Sequence, residues 1–232
     1  MARTLALAFA FSVSLCVPVS AHDIWVQQFD HELVVVSGHG GGTAPCNPYK
    51  IREFKAFDTS GALKGIGANL KGKAVIPLTK DGIVAATAYQ EEGFRSITPD
   101  GEKPLSKRAV KDAIETRFYQ NYLKTLLGWS PALGKPLGAK FELVPLKNPL
   151  ALKSGETFPL VVYYNGKPFA DALVDDGTSD GLREKTDGQG RFTVTVGKKG
   201  RQVITAYRSE PYQDQNEADL LSMTTNLNYI VK

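Results

Sequence analysis

The sequence predicts an all-β protein of two β-sandwich domains with one helix between them. Short runs that alternate apolar and polar residues fill most of the chain, turns rich in glycine, asparagine and aspartate separate them, and one interval has a longer apolar period. We divide the chain into a leader over residues 1–21, an N-terminal β-rich domain over 22–135 and a C-terminal sandwich over 136–232. The division follows the glycine- and proline-rich segment 128–138, which we interpret as a linker.

The leader has the features of a secretory signal peptide. Arg3 provides a positive start, a long apolar run follows, and Val19 and Ala21 occupy the small-residue positions that precede a cleavage site. Cleavage after Ala21 makes His22 the first residue of the mature chain. No later apolar run is long enough to cross a bilayer. The sequence therefore predicts an exported, periplasmic protein whose mature chain has no membrane span.

The first half of the mature chain contains five candidate strands: DIWVQQF, ELVVVS, YKIREFKAFD, AVIPL and GIVAATAYQ. We expect the first two to form a hairpin in which Phe29 faces Glu32 across a two-residue turn. Continuing this register outward places His22 opposite His39 at the open end of the hairpin. Alternation puts both histidines on the face of Ile24, which the apolar residues of the two strands mark as core.

The interval from Leu105 to Leu127 departs from the strand pattern. Its large apolar residues recur every four positions, at Val110, Ile114, Phe118, Tyr122 and Leu126. Residues four apart lie on one face of a helix, so we predict a helix over residues 105–127 between the two domains.

The second half contains six candidate strands: KFELVPL, TFPLVVYY, ALVDD, RFTVTV, RQVITAYR and TTNLNYIVK. Short strands at regular spacing are typical of a small sandwich. Asn165-Gly166 predicts a two-residue hairpin turn, and residues 187–190 predict a second turn. No group of ionisable residues in this half predicts a site, so we expect a structural module.

The open end of the first hairpin predicts a metal site. After cleavage, His22 carries an imidazole and a free α-amine, whose ordinary pKa of about 8 lets a metal displace the proton. With the imidazole of His39 these nitrogens form a three-nitrogen set that suits Cu(II) or Ni(II). Asp23 is expected to add an oxygen ligand or to orient an imidazole. Two alternatives stay open, an accidental terminal histidine and a merely exposed His39, and we interpret His31 as a turn residue.

Charge and motif content argue against several other functions. A formal net charge of +4, evenly spread, is too small to predict binding of nucleic acid. Cys46 is the one cysteine after the leader, and we expect it to be a buried apolar residue. The glycines after His39 and the G-x-S-x-G pattern at 177–181 are typical of esterases, but no histidine follows His39 to complete a triad. We predict no enzymatic activity; a structural or interaction module is the alternative to metal binding, and a copper oxidase with a histidine brace is the third hypothesis.

An ordered set of motifs carries a family resemblance: AHDIWV, GH, PYKIREFKAFDTSG, GFRSITPDGE, FELVPLKNPLALKSGE, YNGKPFADALV and KTDGQGRFTVTV. Together they resemble exported bacterial proteins catalogued as domain of unknown function 4198, which are described as periplasmic accessory components of nickel and cobalt uptake. The resemblance implies a β-rich protein with a transthyretin-like or immunoglobulin-like second half. It also implies nickel or cobalt as the metal, His22 and His39 as its ligands, and a membrane transporter as the partner. The sequence departs from the family pattern at Arg95, where an aromatic residue is common, and at Asn226, where a small or apolar residue is usual.

Overall fold

Strands make up almost all of the regular structure. The computed structural model describes residues 23–39, 42–70, 72–78, 82–178 and 183–232. Its strands are Asp23–Phe29 (β1), Glu32–His39 (β2), Gly42–Pro45 (β3), Ile51–Asp58 (β4), Leu63–Ile66 (β5), Ala68–Leu70 (β6), Lys73–Pro77 (β7), Ile83–Thr98 (β8), Gly101–Lys103 (β9), Glu115–Leu126 (β10), Phe141–Pro145 (β11), Thr157–Tyr164 (β12), Lys167–Pro168 (β13), Leu173–Asp175 (β14), Glu184–Lys185 (β15), Arg191–Thr195 (β16), Gly200–Pro211 (β17) and Leu220–Val231 (β18). Short 3₁₀ helices cover Pro48–Lys50, Lys107–Ala109, Pro131–Gly134 and Pro149–Ala151.

Within these residues the strands form three sheets. The N-terminal sheet has the order β1-β2-β7-β6. Strand β3 pairs with the C-terminal end of β2, whereas β7 pairs with its N-terminal end. The central sheet has nine strands, in the order β15-β14-β17-β18-β10-β8-β4-β5, with β9 paired to β8. The small sheet consists of β11, β12 and β13, with β16 paired to β12. The prediction of an all-β sandwich protein is therefore confirmed.

The central sheet is buried on both faces because side chains alternate along its strands. Ala85 and Tyr122 face the small sheet, whereas Ala86 and Leu123 face the N-terminal sheet. The first core is completed by side chains of the small sheet: Phe141, Leu143, Phe158, Leu160, Val162 and Val194. The second is completed by side chains of the N-terminal sheet: Ile24, Val26, Leu33, Val35, Ala74 and Ile76. The two sandwiches share the central sheet as their common layer.

The first hairpin has the predicted register. Phe29 pairs with Glu32, and the ladder continues to Asp23 opposite Gly38. Asp30 adopts a positive φ of 38° in the turn, a conformation that aspartate tolerates better than most residues. The predicted core face of this hairpin is confirmed, since Ile24, Val26, Leu33 and Val35 all pack in the second core.

The predicted helix over 105–127 is wrong. Residues Glu115–Leu126 form strand β10, and the only helical turn in the interval is Lys107–Ala109. A spacing of four residues is also a multiple of two, so it marks one face of a strand as well as one face of a helix. Phe118 and Tyr122 indeed lie on the same face of β10, which pairs with β8 on one side and β18 on the other.

Strands from both sides of the predicted domain boundary pair in the central sheet. β10 runs parallel to β18, with Asn121 opposite Thr224. The segment 128–138, interpreted as a linker, contains the 3₁₀ helix Pro131–Gly134 and places Leu133 in the first core with no exposed surface. The division of the chain into two domains stays a prediction, and backbone hydrogen bonds connect its two parts.

A buried ion pair also spans this boundary. Lys124 Nζ of β10 lies 2.5 Å from Glu142 Oε1 of β11, and each side chain is 1% exposed. The Glu142 carboxylate also accepts hydrogen bonds from the backbone N–H groups of Leu137, Gly138 and Ala139. Burial lowers the pKa of Lys124, and the nearby carboxylate opposes that shift.

None of the helices in the described part of the chain is long and apolar enough to cross a membrane.

Candidate functional site

Of the predicted metal ligands, the structure describes Asp23 and the backbone of His39, which lie at the open end of the first hairpin. Asp23 is the first residue of β1, is half-buried and pairs with Gly38. His39 is the last residue of β2, and its backbone pairs with Gly42 of β3; its side chain lies outside the described residues. His22 lies outside them entirely. Among the described side chains, no group of three or more histidine, cysteine, aspartate or glutamate residues is arranged to hold a metal ion.

Strand β1 is held firmly against the central sheet near this end. The backbone N–H of Val26 donates to Thr125 Oγ1 at 2.9 Å, and Asn228 Nδ2 donates to the carbonyl of Ile24 at 3.3 Å. Both side-chain partners are buried, so these hydrogen bonds form out of contact with water. The start of β1 is thus positioned by the central sheet as well as by the pairing of β1 with β2.

Alternation along β1 separates Asp23 from the core face. Ile24 and Val26 point into the second core, whereas Trp25 belongs to a small cluster on the opposite face of the sheet. Asp23 shares the face of Trp25. The Arg201 guanidinium of β17 stacks over the Trp25 ring at 4.2 Å from its centroid, which ties the edge of β1 to the central sheet.

A polar cleft of about 770 Å³ opens beside Asp23. Its floor is formed by residues of β14 and β17, including Asp175, Thr205 and Tyr207. Thr195 at the end of β16 and the connection 196–199 between β16 and β17 also line it. Side chains that are distant in sequence therefore meet within one concave surface of the size that small-molecule sites have.

The cleft is lined by side chains of both charges. Lys198, Lys199 and Arg201 line it together with the carboxylates of Asp23 and Asp175. Arg201 is half-buried, and burial lowers the pKa of its guanidinium.

The turn that carries the two lysines is held by one side chain. Gln202 Oε1 accepts from the backbone N–H of Gly197 at 3.0 Å, and Gln202 Nε2 donates to the Lys198 carbonyl at 2.6 Å. A Cβ at position 197 would lie 2.3 Å from Gln202 Oε1, so glycine is required for this contact. Gln202 therefore fixes the position of the basic turn, which begins at Gly197 and ends at Gly200 with a φ of 121°.

Sequence reasoning missed this cleft. The sequence GKKGR at 197–201 carries a visible signal, since three basic residues lie within and just after a glycine-bounded turn. What the sequence does not reveal is that β14 and the start of β1 lie beside that turn. The expectation of a purely structural second half did not consider a site shared with the first hairpin.

Three further predictions from the sequence are confirmed. Cys46 is buried with 5% exposure and packs in the second core, and burial raises the pKa of its thiol to about 11. His31 is exposed and lies in the turn of the first hairpin, at the end opposite to Asp23. Asn165 and Gly166 form the predicted two-residue turn between β12 and β13, with φ values of 51° and 73°.

Comparisons with known proteins identify a family and little else. A family model described as "Domain of unknown function (DUF4198)" matches residues 19–210. No curated protein matches the sequence. Among solved structures, the D0-D1 domain of Intimin matches with a TM-score of 0.25 and 14% sequence identity, covering 86% of this chain and 90% of that chain.

Proposed function

The chain belongs to the family described as a domain of unknown function, DUF4198, and we propose that it is an exported protein that binds a divalent transition metal. In this proposal the leader is removed after Ala21 and the protein acts in the periplasm. It receives nickel or cobalt and presents the metal to a membrane transporter. A carrier of this kind needs no catalytic acid, base or nucleophile.

The register of the first hairpin is the observation that carries the proposal. The ladder is regular from the turn to Asp23 opposite Gly38, and strand β2 continues to His39. Extending the same register by one position, beyond the residues that the structure describes, pairs residue 22 with residue 39 in this proposal. Directly opposed residues in an antiparallel pair have Cβ atoms about 4.5–5.5 Å apart, a separation that one metal ion can bridge. We therefore assign the amine and imidazole of His22 and the imidazole of His39 as the ligands.

The donor set explains why the N-terminus matters to this proposal. An α-amine and an imidazole of one residue chelate a metal, and a second imidazole adds a third nitrogen. Nickel and copper prefer such nitrogen donors, and cobalt accepts them. Because Asp23 shares the face of Trp25, we assign it to the neighbouring cleft or to an orienting role rather than to direct ligation.

Calorimetric titration of Ni(II), Co(II) and Cu(II) into the exported protein tests the proposal, after mass spectrometry has defined its N-terminus. We expect His39→Ala to weaken binding by at least about tenfold, since it removes one of three ligands. His31→Ala is the matched control, because His31 lies at the other end of the same hairpin, and its affinity should be unchanged. One extra alanine before His22 should weaken binding as His39→Ala does. Equal affinity in all four proteins would contradict the proposed ligands.

The second candidate is a structural or interaction module. The β-sandwich architecture fits it, since a rigid sandwich can present its loops to a partner. Absence of binding for all three metals, by a protein that starts at His22, would leave this candidate in place of the carrier.

A further inference from the structure

We propose that the polar cleft beside Asp23 binds a short peptide with free termini, with the ammonium group of the peptide at Asp175 and its carboxylate at Arg201. Every residue assigned to this site lies in the described part of the chain. Peptide binding does not depend on the proposed metal site.

The charges of the cleft are separated along its floor. Arg201 and Thr205 are four residues apart on β17, so they lie on the same face, about 13 Å apart at the usual rise of a strand. Asp175 of β14 pairs directly with Thr205 and faces the same side. The floor therefore has a carboxylate towards one end and a guanidinium at the other.

The basic end is preorganised. The turn 197–200 carries two lysines into the cleft just before Arg201, and Gln202 Oε1 holds that turn by accepting from the backbone N–H of Gly197 at 3.0 Å. The Arg201 guanidinium lies over the Trp25 ring at 4.2 Å from its centroid. Arginine and lysine bind carboxylates through charge-assisted hydrogen bonds, and groups that are already positioned lose little freedom on binding.

The acidic end has acceptor positions for an ammonium group. Asp175 Oδ1 accepts a hydrogen bond from the backbone N–H of Gly177 at 2.8 Å. An ionised carboxylate has about four acceptor positions, so one such bond does not saturate it. Asp23 lines the cleft as well but has an interaction of its own, so we assign the ammonium group to Asp175.

A ligand with both charges and a polar middle matches this lining better than a simple anion or cation. An extended peptide spans about 3.3–3.6 Å per residue, so three residues cover about 10 Å, and the two side chains reach across the rest. Hydroxyl groups of Ser154, Thr195 and Thr205 line the same surface and can donate to peptide C=O groups or accept from peptide N–H groups. The volume of about 770 Å³ lies in the range of sites for small ligands.

Calorimetric titration of trialanine into the exported protein, without added metal, tests the site. We expect saturable binding that weakens by about tenfold or more for N-acetyltrialanine and for trialanine amide, since each loses one charge-assisted contact. Free alanine should also bind more weakly, because it is too short to reach both ends of the floor. Added sodium chloride should weaken the binding of trialanine.

Two variants assign the two ends of the peptide. Asp175→Asn keeps an acceptor for the Gly177 N–H but should bind trialanine and N-acetyltrialanine equally weakly. Arg201→Gln should bind trialanine and its amide with nearly equal affinity, since the group that distinguishes them is removed. The controls Lys111→Gln and Asp112→Asn change the same charges at exposed positions outside the cleft and should bind trialanine as the unmodified protein does.

The results that contradict the site are distinct from those that contradict the metal carrier. No saturable binding of trialanine up to about 10 mM, or equal affinity for free and blocked peptides, would overturn the peptide site. Full discrimination against both blocked peptides in Asp175→Asn and Arg201→Gln would overturn the assigned contacts. Peptide binding by a protein that binds no metal would uphold this site and refute the carrier, whereas metal binding without peptide binding would do the reverse.

Discussion

Replacement of Glu142 by glutamine removes the counter-charge of a fully buried lysine. Lys124 Nζ lies 2.5 Å from Glu142 Oε1, in a contact whose geometry is that of an ion pair rather than of an aligned hydrogen bond. Loss of one partner of such a pair lowers the free energy of unfolding by about 3–5 kcal/mol, because the other charge stays buried. For a protein of this size that corresponds to a fall in melting temperature of roughly 6–20 °C.

Lys124→Met should be less damaging than Glu142→Gln. Without the lysine, the carboxylate keeps the backbone N–H groups of Leu137, Gly138 and Ala139 as donors. In Glu142→Gln the Lys124 ammonium has no acceptor among the described residues. The three backbone N–H groups then donate to a neutral amide oxygen instead of a carboxylate. The double variant should cost less than the sum of the two single variants, since neither charge is then left alone.

The effect of Glu142→Gln depends on pH in a definite direction. Burial lowers the pKa of Lys124 below its ordinary 10.5, so between the lowered and the ordinary value the unfolded chain binds more protons than the folded one. The free energy of unfolding therefore rises with pH across that interval. Without the carboxylate the pKa of Lys124 falls further, so the interval widens towards neutral pH. Raising the pH from about 7 to about 9.5 should return part of the lost stability.

Urea unfolding followed by tryptophan fluorescence gives the free energy of unfolding of each variant from the midpoint and slope of its transition. The control is Lys73→Met, which breaks the exposed Lys73–Glu32 pair at 3.8 Å and should cost less than about 1 kcal/mol. If Glu142→Gln costs no more than this control, or loses stability as the pH rises, the argument for a buried charge pair is refuted.

Three further predictions concern the turns, the core and the anchoring of β1. The Cys46 thiol, with a pKa near 11, should react with Ellman's reagent far more slowly at pH 8 in the folded protein than in urea, and equal rates would contradict its burial. Gly166→Ala, at a φ of 73°, should lower the free energy of unfolding by about 1 kcal/mol, whereas Gly188→Ala, with open space around it and no positive φ, should not. Thr125→Val removes the acceptor of the Val26 N–H and should cost about 1–3 kcal/mol. Hydrogen exchange at Val26 should then accelerate, and unchanged exchange would mean that β1 is held by other contacts.

Local patterns predicted the local structure well. The first hairpin was placed in the correct register because a two-residue turn fixes the pairing of every residue that follows it. The helix prediction failed at β10 because polar side chains interrupt the alternation of its inward face. Gln120 and Lys124 lie between Phe118, Tyr122 and Leu126, so the apolar residues of one strand face recur every four positions. The burial of Lys124 depends on Glu142, a partner that no local pattern identifies.

Local patterns in the sequence did not predict which strands are neighbours, because these pairings join segments that are distant in the chain. The parallel pairing of β10 with β18 joins residues about a hundred positions apart, and neither strand carries a local signal for the other. The cleft likewise unites residue 23 with residues 175 and 201. Periodicity identifies strands and faces, whereas the choice of neighbours depends on how whole sheets pack.

The place of β18 within the central sheet has a consequence for how the protein can be made. Before the last strand is synthesised, β10 and β17 each lack one of their two neighbours, because Leu220–Val231, which lies between them in the sheet, emerges from the ribosome after both. Truncation before Leu220 would therefore remove an interior strand and expose two open edges, which are prone to aggregate. Expression of either half alone should yield insoluble material rather than a smaller soluble fragment.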